Sequence, residues 1–318
     1  MTLEAGQRAR LLLRPDESMS VAGRQVLAYH FRRMVAHEPG VRLGEDIEAL
    51  HDMRVATRRM RAAFRIFGDF YQPQAIAPHL KGLKRTGRAL GPVRDLDVLG
   101  EKVRHDRETS PALQTTDLAS LFAAIDARHQ AARQVMLRYL EGAQYARFKA
   151  RFGDFLDTPG QGSRPMALDG DGKPPPHRLR HVVPPAIYER LAVVRAYSEW
   201  VIVPDPPLAR LHALRIACKR LRYTLEFFRS ILGPEGQGAI EGVVAVQDHL
   251  GAVQDAVVAG GFLRQLLAEA TTPQPGIETY LAFRETELQD LVDTFPRAWQ
   301  RLNRPEFSRM VAQAVAVL

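Results

Sequence analysis

The chain has 318 residues, 46% hydrophobic and 25% charged, which suits one large soluble globular domain or two of ordinary size. It has no run of eighteen apolar residues to span a bilayer and no signal-peptide core in its opening MTLEAGQRARLLLRPDE, and a lone Cys218 excludes a disulfide framework or a cysteine-rich metal cluster, so the expected location is the cytoplasm. The net charge is +8, its basic residues are six lysines and thirty-eight arginines, and the excess is uneven: residues 1–160 carry 26 basic and 19 acidic side chains, residues 161–318 carry 18 and 17. G+C-rich coding alone would produce an arginine bias, but the arginine fork also suits phosphate.

Apolar residues recur at three and four through most of the chain and alternating β-type runs are absent, so an all-α protein is expected. Breakers stand at Pro39-Gly40, Tyr71-Gln72-Pro73, Ser110-Pro111, Val203 to Pro207 and Gly233-Pro234. A first bundle is expected over 18–156. In its helix from Leu50, His51, Arg54, Arg58, Arg61 and Arg65 fall within an arc of roughly 80°, opposite Met53, Ala56, Met60, Phe64 and Phe67. The next helix carries Lys81, Lys84, Arg85 and Arg88 ahead of Leu90-Gly91, then Arg94, Asp95 and Asp97. Residues 157–185 hold seven prolines and four glycines and read as a linker, where His177 and His181 have no helix to align them for zinc. A second bundle is expected over 186–318, with Asp205 as N-cap before Pro206.

The halves repeat each other at an offset of about 160 residues: LHDMRVATRRMRAAFRIF at 50–67 against LHALRIACKRLRYTLEFF at 211–228, LGPVRDLDV at 90–98 against LGAVQDAVV at 250–258, and Tyr145-Ala-Arg-Phe148 against Phe307-Ser-Arg-Met310. Three collinear matches indicate an internal duplication, with about four helices per half paired about a pseudo-two-fold axis. His212, Arg215, Lys219 and Arg222 repeat the basic stripe, and Glu226 takes its fifth position. Like charges spaced i, i+4 cost roughly 0.2–0.5 kcal/mol per pair, so a one-signed stripe kept in both halves points to an anion. The lysines and arginines before Leu90 have no counterpart before Leu250.

The doubled pattern resembles the CHAD domain, the conserved-histidine α-helical domain. It reads His51-x-x-Arg54-x-x-x-Arg58-Arg59-x-Arg61 with Leu90-Gly91-x-x-Arg94-Asp95, then His212-x-x-Arg215-x-x-x-Lys219-Arg220-x-Arg222-Tyr223 with Leu250-Gly251-x-x-x-Asp255, and the resemblance covers about residues 18–318. It implies paired helical bundles around a basic central groove that binds inorganic polyphosphate. It also implies the stand-alone type, which in bacteria is associated with polyphosphate granules.

Chemistry is the weaker reading. Asp95 and Asp97 resemble a carboxylate pair for Mg²⁺, but the repeat keeps Asp255 and replaces Asp97 with Val257, so Asp95 and Asp255 are expected to orient arginines. Cys218 lies about 240° round the helix from His212 and is expected in the core. Nucleic acid remains the alternative partner, disfavoured because the first stripe has no aromatic platform; Tyr223 is expected to be buried with its hydroxyl bonded. The expected function is non-enzymatic polyphosphate binding, with no cofactor or metal. The alternatives are a nucleic-acid scaffold and a phosphohydrolase using Asp95 and Asp97.

Overall fold

Buried apolar side chains recur at helical spacing along every long segment, and the helices pack through those stripes. The structure, a computed structural model, describes residues 11–165, 168 and 170–318; the first ten residues, on which most of the signal-peptide reading falls, lie outside them. Among the described residues the protein is all-α, its only β contacts being two isolated bridges, Ser18 with Arg178 and Tyr71 with Ser163. The first half comprises α1 (Met19–Leu43), α2 (Ile47–Phe67), α3 (Pro73–Thr109), the single turn α4 (Pro111–Gln114), α5 (Ala119–Glu141) and α6 (Ala143–Asp157). The second comprises α7 (Leu179–Arg195), the single turn α8 (Ser198–Val201), α9 (Leu208–Phe227), α10 (Glu235–Glu269), α11 (Pro275–Trp299) and α12 (Pro305–Val315). Each half thus carries five longer helices, against the four or so expected.

The packing order of one half recurs in the other. α2 packs between α1 and α3, and α9 between α7 and α10; the long helices α3 and α10 carry α5 and α11 along their flanks. An aromatic ring from the last helix of each half presses on a glycine of its long helix: Phe148 on Gly82, Phe307 on Gly242. At either glycine an added Cβ would fall under 3.0 Å from the ring, so only glycine lets the helices approach this closely. The two glycines stand 160 residues apart, the offset of the sequence repeat.

The halves share cores. The larger apolar cluster runs through both, with Phe67 of α2 against Phe227 of α9 and Phe228 beyond it. A smaller cluster joins the far ends of α3 and α10 to α5 and α11, through Leu99, Val103, Ile125, Leu263 and Tyr280. The halves therefore meet at two places along their length.

Three local expectations differ. α1 runs through Pro39-Gly40 and ends at Gly44, whose φ of 77° is left-handed. Val41 is buried, and Arg133 of α5 donates to the carbonyls of Val41, Arg42 and Leu43, satisfying the end of the helix. The linker is shorter than 157–185, because α7 starts at Leu179 and runs through Pro184 and Pro185. Leu179, Val183, Ile187, Leu191 and Val194 form a buried stripe there, enough to outweigh two missing amide donors. Asp205 is not an N-cap: its φ is 50°, and α9 begins only at Leu208 after Pro207.

Candidate anion-binding site

α2 is capped by Asp46, whose side chain accepts from the Glu48 amide at 2.8 Å. Its apolar face, Met53, Ala56, Met60, Phe64 and Phe67, is buried. That burial fixes the helix's rotation and turns His51, Arg54, Arg58, Arg61 and Arg65 to the other side, with Arg58 and Arg65 exposed and the rest half-buried. Arg54 lies across α3 at Gly91, where an added Cβ would stand 2.8 Å from its Nη1, and Nη2 bonds Asp95 at 3.0 Å. The Leu-Gly…Asp segment of the first half is thus a seat for Arg54. Gly87 similarly faces Arg61, an added Cβ there lying 3.5 Å from its Nη1.

α9 presents the matching face. Leu211, Leu214, Ala217, Cys218 and Leu221 are buried, and burial pushes the Cys218 thiol up to about 12, in keeping with an inert core residue. Arg215 and Lys219 are half-buried on the side turned to α2. The Lys219 amine is brought down to about 8, first by burial, then by Arg215 on its own helix and by Arg58 and Arg54 from the other half, with Asp255 opposing. Arg215 is lowered by burial and by Arg58, again with Asp255 opposing, and its Nε is buried without a hydrogen-bond partner. Asp255 of α10 is open to water, yet burial raises its carboxyl and Asp95 adds to the rise, while Arg215, Lys219 and Arg284 oppose it. Arg54 and Arg58 of α2 thus lie within electrostatic reach of Arg215 and Lys219 of α9, with Asp95 and Asp255 beside them.

Not every residue singled out from sequence joins this group. Arg222 donates to Glu226 at 2.7 Å, and Arg59 approaches the same carboxylate from α2 at 2.8 Å, forming a bridge across the halves. Tyr223 beside them is buried, with the Arg59 guanidinium over its ring at 5.9 Å; its hydroxyl has no hydrogen-bond partner among the described residues, contrary to expectation. Lys81, Lys84 and Arg88 are exposed, and Arg61 is lowered first by burial, then by Arg65, Arg54 and Arg88, so the positive field extends onto α3. Arg85 turns instead toward Tyr139 of α5. Arg94 faces Glu101 at 3.8 Å. His212 pairs its Nδ1 with Gln254 beside an apolar hollow of about 240 Å³, and Arg220 of the same helix is exposed. His51 stays half-buried at the head of its stripe.

Asp97 does not pair with Asp95. Its Oδ1 bonds His129 of α5 at 2.8 Å, while Asp95 holds Arg54. Two residues apart on a helix are about 200° apart in direction, so the carboxylates diverge. Among the described residues no group of three or more histidine, cysteine or acidic side chains is placed to hold a metal ion.

Sequence reasoning missed a buried network at the second meeting place. Asp106 of α3 accepts from Tyr280 at 2.9 Å, pairs with Lys102 at 2.7 Å and lies 3.5 Å from the Arg284 guanidinium; Lys102 also reaches Glu287 at 2.9 Å. The Lys102–Asp106 spacing of i, i+4 is the one signal that could have suggested it. The four cations lie between this clamp and the one at Arg59, Glu226 and Arg222.

The sequence matches the model of the CHAD domain over residues 25–264. None of the curated proteins matches the chain in sequence. Among solved structures, the chain is similar to the CHAD domain from the plant Ricinus communis, at 25% identity and a TM-score of 0.66, covering 99% of this chain and 98% of that one. It is also similar in fold to PptA from Streptomyces chartreusis, at 16% identity and a TM-score of 0.66, covering 89% of this chain and 100% of that one. No helix among the described residues is long and apolar enough to cross a membrane.

Proposed function

The chain belongs to the CHAD domain family, and from that premise we propose that it binds inorganic polyphosphate in the cationic cleft between its halves and does not cleave it. The observation that carries this reading is the convergence of Arg54 and Arg58 of α2 on Arg215 and Lys219 of α9, none of the last three with an ion-pair partner among the described residues. Four cations facing one another are mutually repulsive, and a polyanion with a charge on every repeat relieves that repulsion along its length. Arg54, Arg58, Arg215 and Lys219 form the centre of the site; Arg61, Arg65, Lys81, Lys84 and Arg88 continue it over the first half. His51 and His212 sit at the heads of the two stripes. Affinity comes from Coulomb attraction, bidentate guanidinium contacts and counterion release. The divergence of Asp95 and Asp97 supports binding without hydrolysis. The protein acts in the cytoplasm, at polyphosphate granules.

A competition assay tests this. Labelled long-chain polyphosphate is displaced by unlabelled polyphosphate, by RNA and by pyrophosphate, with release of phosphate followed alongside. Preferential displacement by polyphosphate without product release is expected; equal displacement by RNA, or product formation, overturns the reading.

A further inference from the structure

The apolar hollow beside His212 lies between the first turns of α9 and the middle of α10, and the sequence repeat explains why it is there. Four of its lining residues, Leu211, His212, Leu250 and Val253, repeat Leu50, His51, Leu90 and Val93 of the first half unchanged. Three others do not repeat: Ala209, Gln254 and Val257 stand where the first half has Glu48, Arg94 and Asp97. There Arg94, its side chain 13% exposed, faces Glu101 at 3.8 Å, and Asp97 bonds His129 at 2.8 Å. The second half keeps the walls and removes all three charges, and a concave space of about 240 Å³ is left between aliphatic side chains.

Two polar groups mark its rim. His212 Nδ1 donates to Gln254 Oε1, which leaves Gln254 Nε2 as a donor and His212 Nε2 as an acceptor, neither with a partner among the described residues. An aliphatic side chain seated in the hollow would cover both without bonding either, which is unfavourable. A flat heterocycle with a donor beside an acceptor on its edge satisfies both while its faces meet the aliphatic walls. Adenine has that edge, its N6 amine standing beside N1 on one side and N7 on the other. Along the same face of α9, Arg215 and Lys219 follow His212 at about 5 and 11 Å, at about 1.5 Å per residue. The hollow is thus the apolar end of a row whose other members are cations.

We propose that this hollow is a nucleobase subsite, which takes the adenine of a nucleoside triphosphate while the phosphates lie along Arg215 and Lys219. The phosphate contacts rest on the anion-binding reading of the stripes; the base contacts rest on the hollow alone. The hollow admits one base, so a mononucleotide fills it and a longer strand gains no second base contact from it.

Titrations of the full chain with ATP, inorganic tripolyphosphate and the trinucleotide pApApA, which carries as many phosphates as ATP, test this. ATP should bind about tenfold more tightly than tripolyphosphate, despite the latter's denser charge, and more tightly than pApApA. Saturation of the protein's methyl groups should transfer to adenine H2 and H8. Val257→Phe fills the hollow from a half-buried position and should bring ATP down to the level of tripolyphosphate, with tripolyphosphate itself unchanged. Gln254→Leu removes the donor and keeps the walls, and should weaken ATP alone by about fivefold. The wild-type comparison and the methyl transfer decide the matter whether or not the variants fold. ATP no tighter than tripolyphosphate, a folded Val257→Phe protein that keeps the margin for ATP, or tighter binding of pApApA overturns this inference and leaves polyphosphate binding intact. Failure of ATP, tripolyphosphate and long-chain polyphosphate alike to bind overturns the anion reading and this inference together.

Discussion

The two Leu-Gly segments are alike in sequence and unlike in structure, and alanine at each separates the role of Arg54 from that of the fold. At Gly91 an added Cβ would stand 2.8 Å from Arg54 Nη1, the end of a flexible side chain, so Arg54 moves and the helices do not. At Gly251 an added Cβ has nothing within 4 Å. Alanine inside a helix is favoured over glycine by about 0.8–1 kcal/mol. Gly251→Ala should therefore stabilise the protein by about that much and leave polyphosphate affinity unchanged. Gly91→Ala gains the same propensity and loses the partly exposed Arg54–Asp95 bond, worth roughly 0.2–1 kcal/mol, so its stability should change little. Its affinity should fall, because a guanidinium contact to an anion contributes roughly 1.5–3 kcal/mol, about ten- to a hundredfold. Urea unfolding and polyphosphate titration of both variants check this. Equal affinities for Gly91→Ala and Gly251→Ala would refute the claim that the glycine seats Arg54 for binding.

Replacing Arg54 and Arg58 with Glu should weaken polyphosphate binding more, and flatten its salt dependence more, than replacing Arg215 and Lys219, because only the first pair is continued by Arg61, Arg65 and Arg88. In the second half exposed Glu241 and Asp248 stand where the first has Lys81 and Arg88, so a larger loss from the second pair, read by salt-series titrations, would show that cleft geometry outweighs the outer charge. Glu226→Gln should free Arg59 and Arg222, lowering stability by roughly 1.5–3 kcal/mol while tightening binding at low salt; unchanged affinity would place both arginines outside the anion's reach. Burial holds His30 down at about 3 and His79 at about 4 against a usual 6.5, so the unfolded chain takes up protons first as pH falls below 6.5. At pH 5 each histidine should have cost roughly 2 kcal/mol of stability relative to pH 7, and His79→Phe should recover its share; urea midpoints equal at the two pH values would contradict this.

The stripes were legible because α2 and α9 carry both halves of an amphipathic pattern, with Met53, Met60 and Phe64 on one side and the arginines on the other. A 3.6-residue period is a local property, and sequence states it directly. What remained hidden is pairing between distant helices. Glu226 read as a gap in the second stripe; in the structure it withdraws Arg222 from the cleft by holding it together with Arg59, residues that only folding brings together. His129 gave no sign that it would claim Asp97, and no local pattern pairs Asp106 with Tyr280 and Arg284 of α11. Pro184 and Pro185 misled for the opposite reason. Local rules count the amides they lack, whereas the buried stripe from Leu179 to Val194 decides the outcome.

The placement of the clamps explains how the chain tolerates the cleft. Arg54, Arg58, Arg215 and Lys219 repel one another, and on a flexible chain they would separate until water screened them. They are held by contacts on either side: Phe67 against Phe227 and Phe228 with the Glu226 bridge at one end, and Asp106 with Tyr280 and Arg284 at the other. The acids at these clamps face cations outside the central group, so they secure the walls without neutralising the floor. Among the described residues, Asp95 and Asp255 are the acids that act on these cations; the first positions Arg54 and the second is itself weakened by burial. The proposed site is therefore preorganised: folding holds its cations together, and a bound anion relieves the repulsion that remains between them. An anion entering it meets fixed charges, loses little in ordering them, and returns stability to the fold in proportion to its affinity.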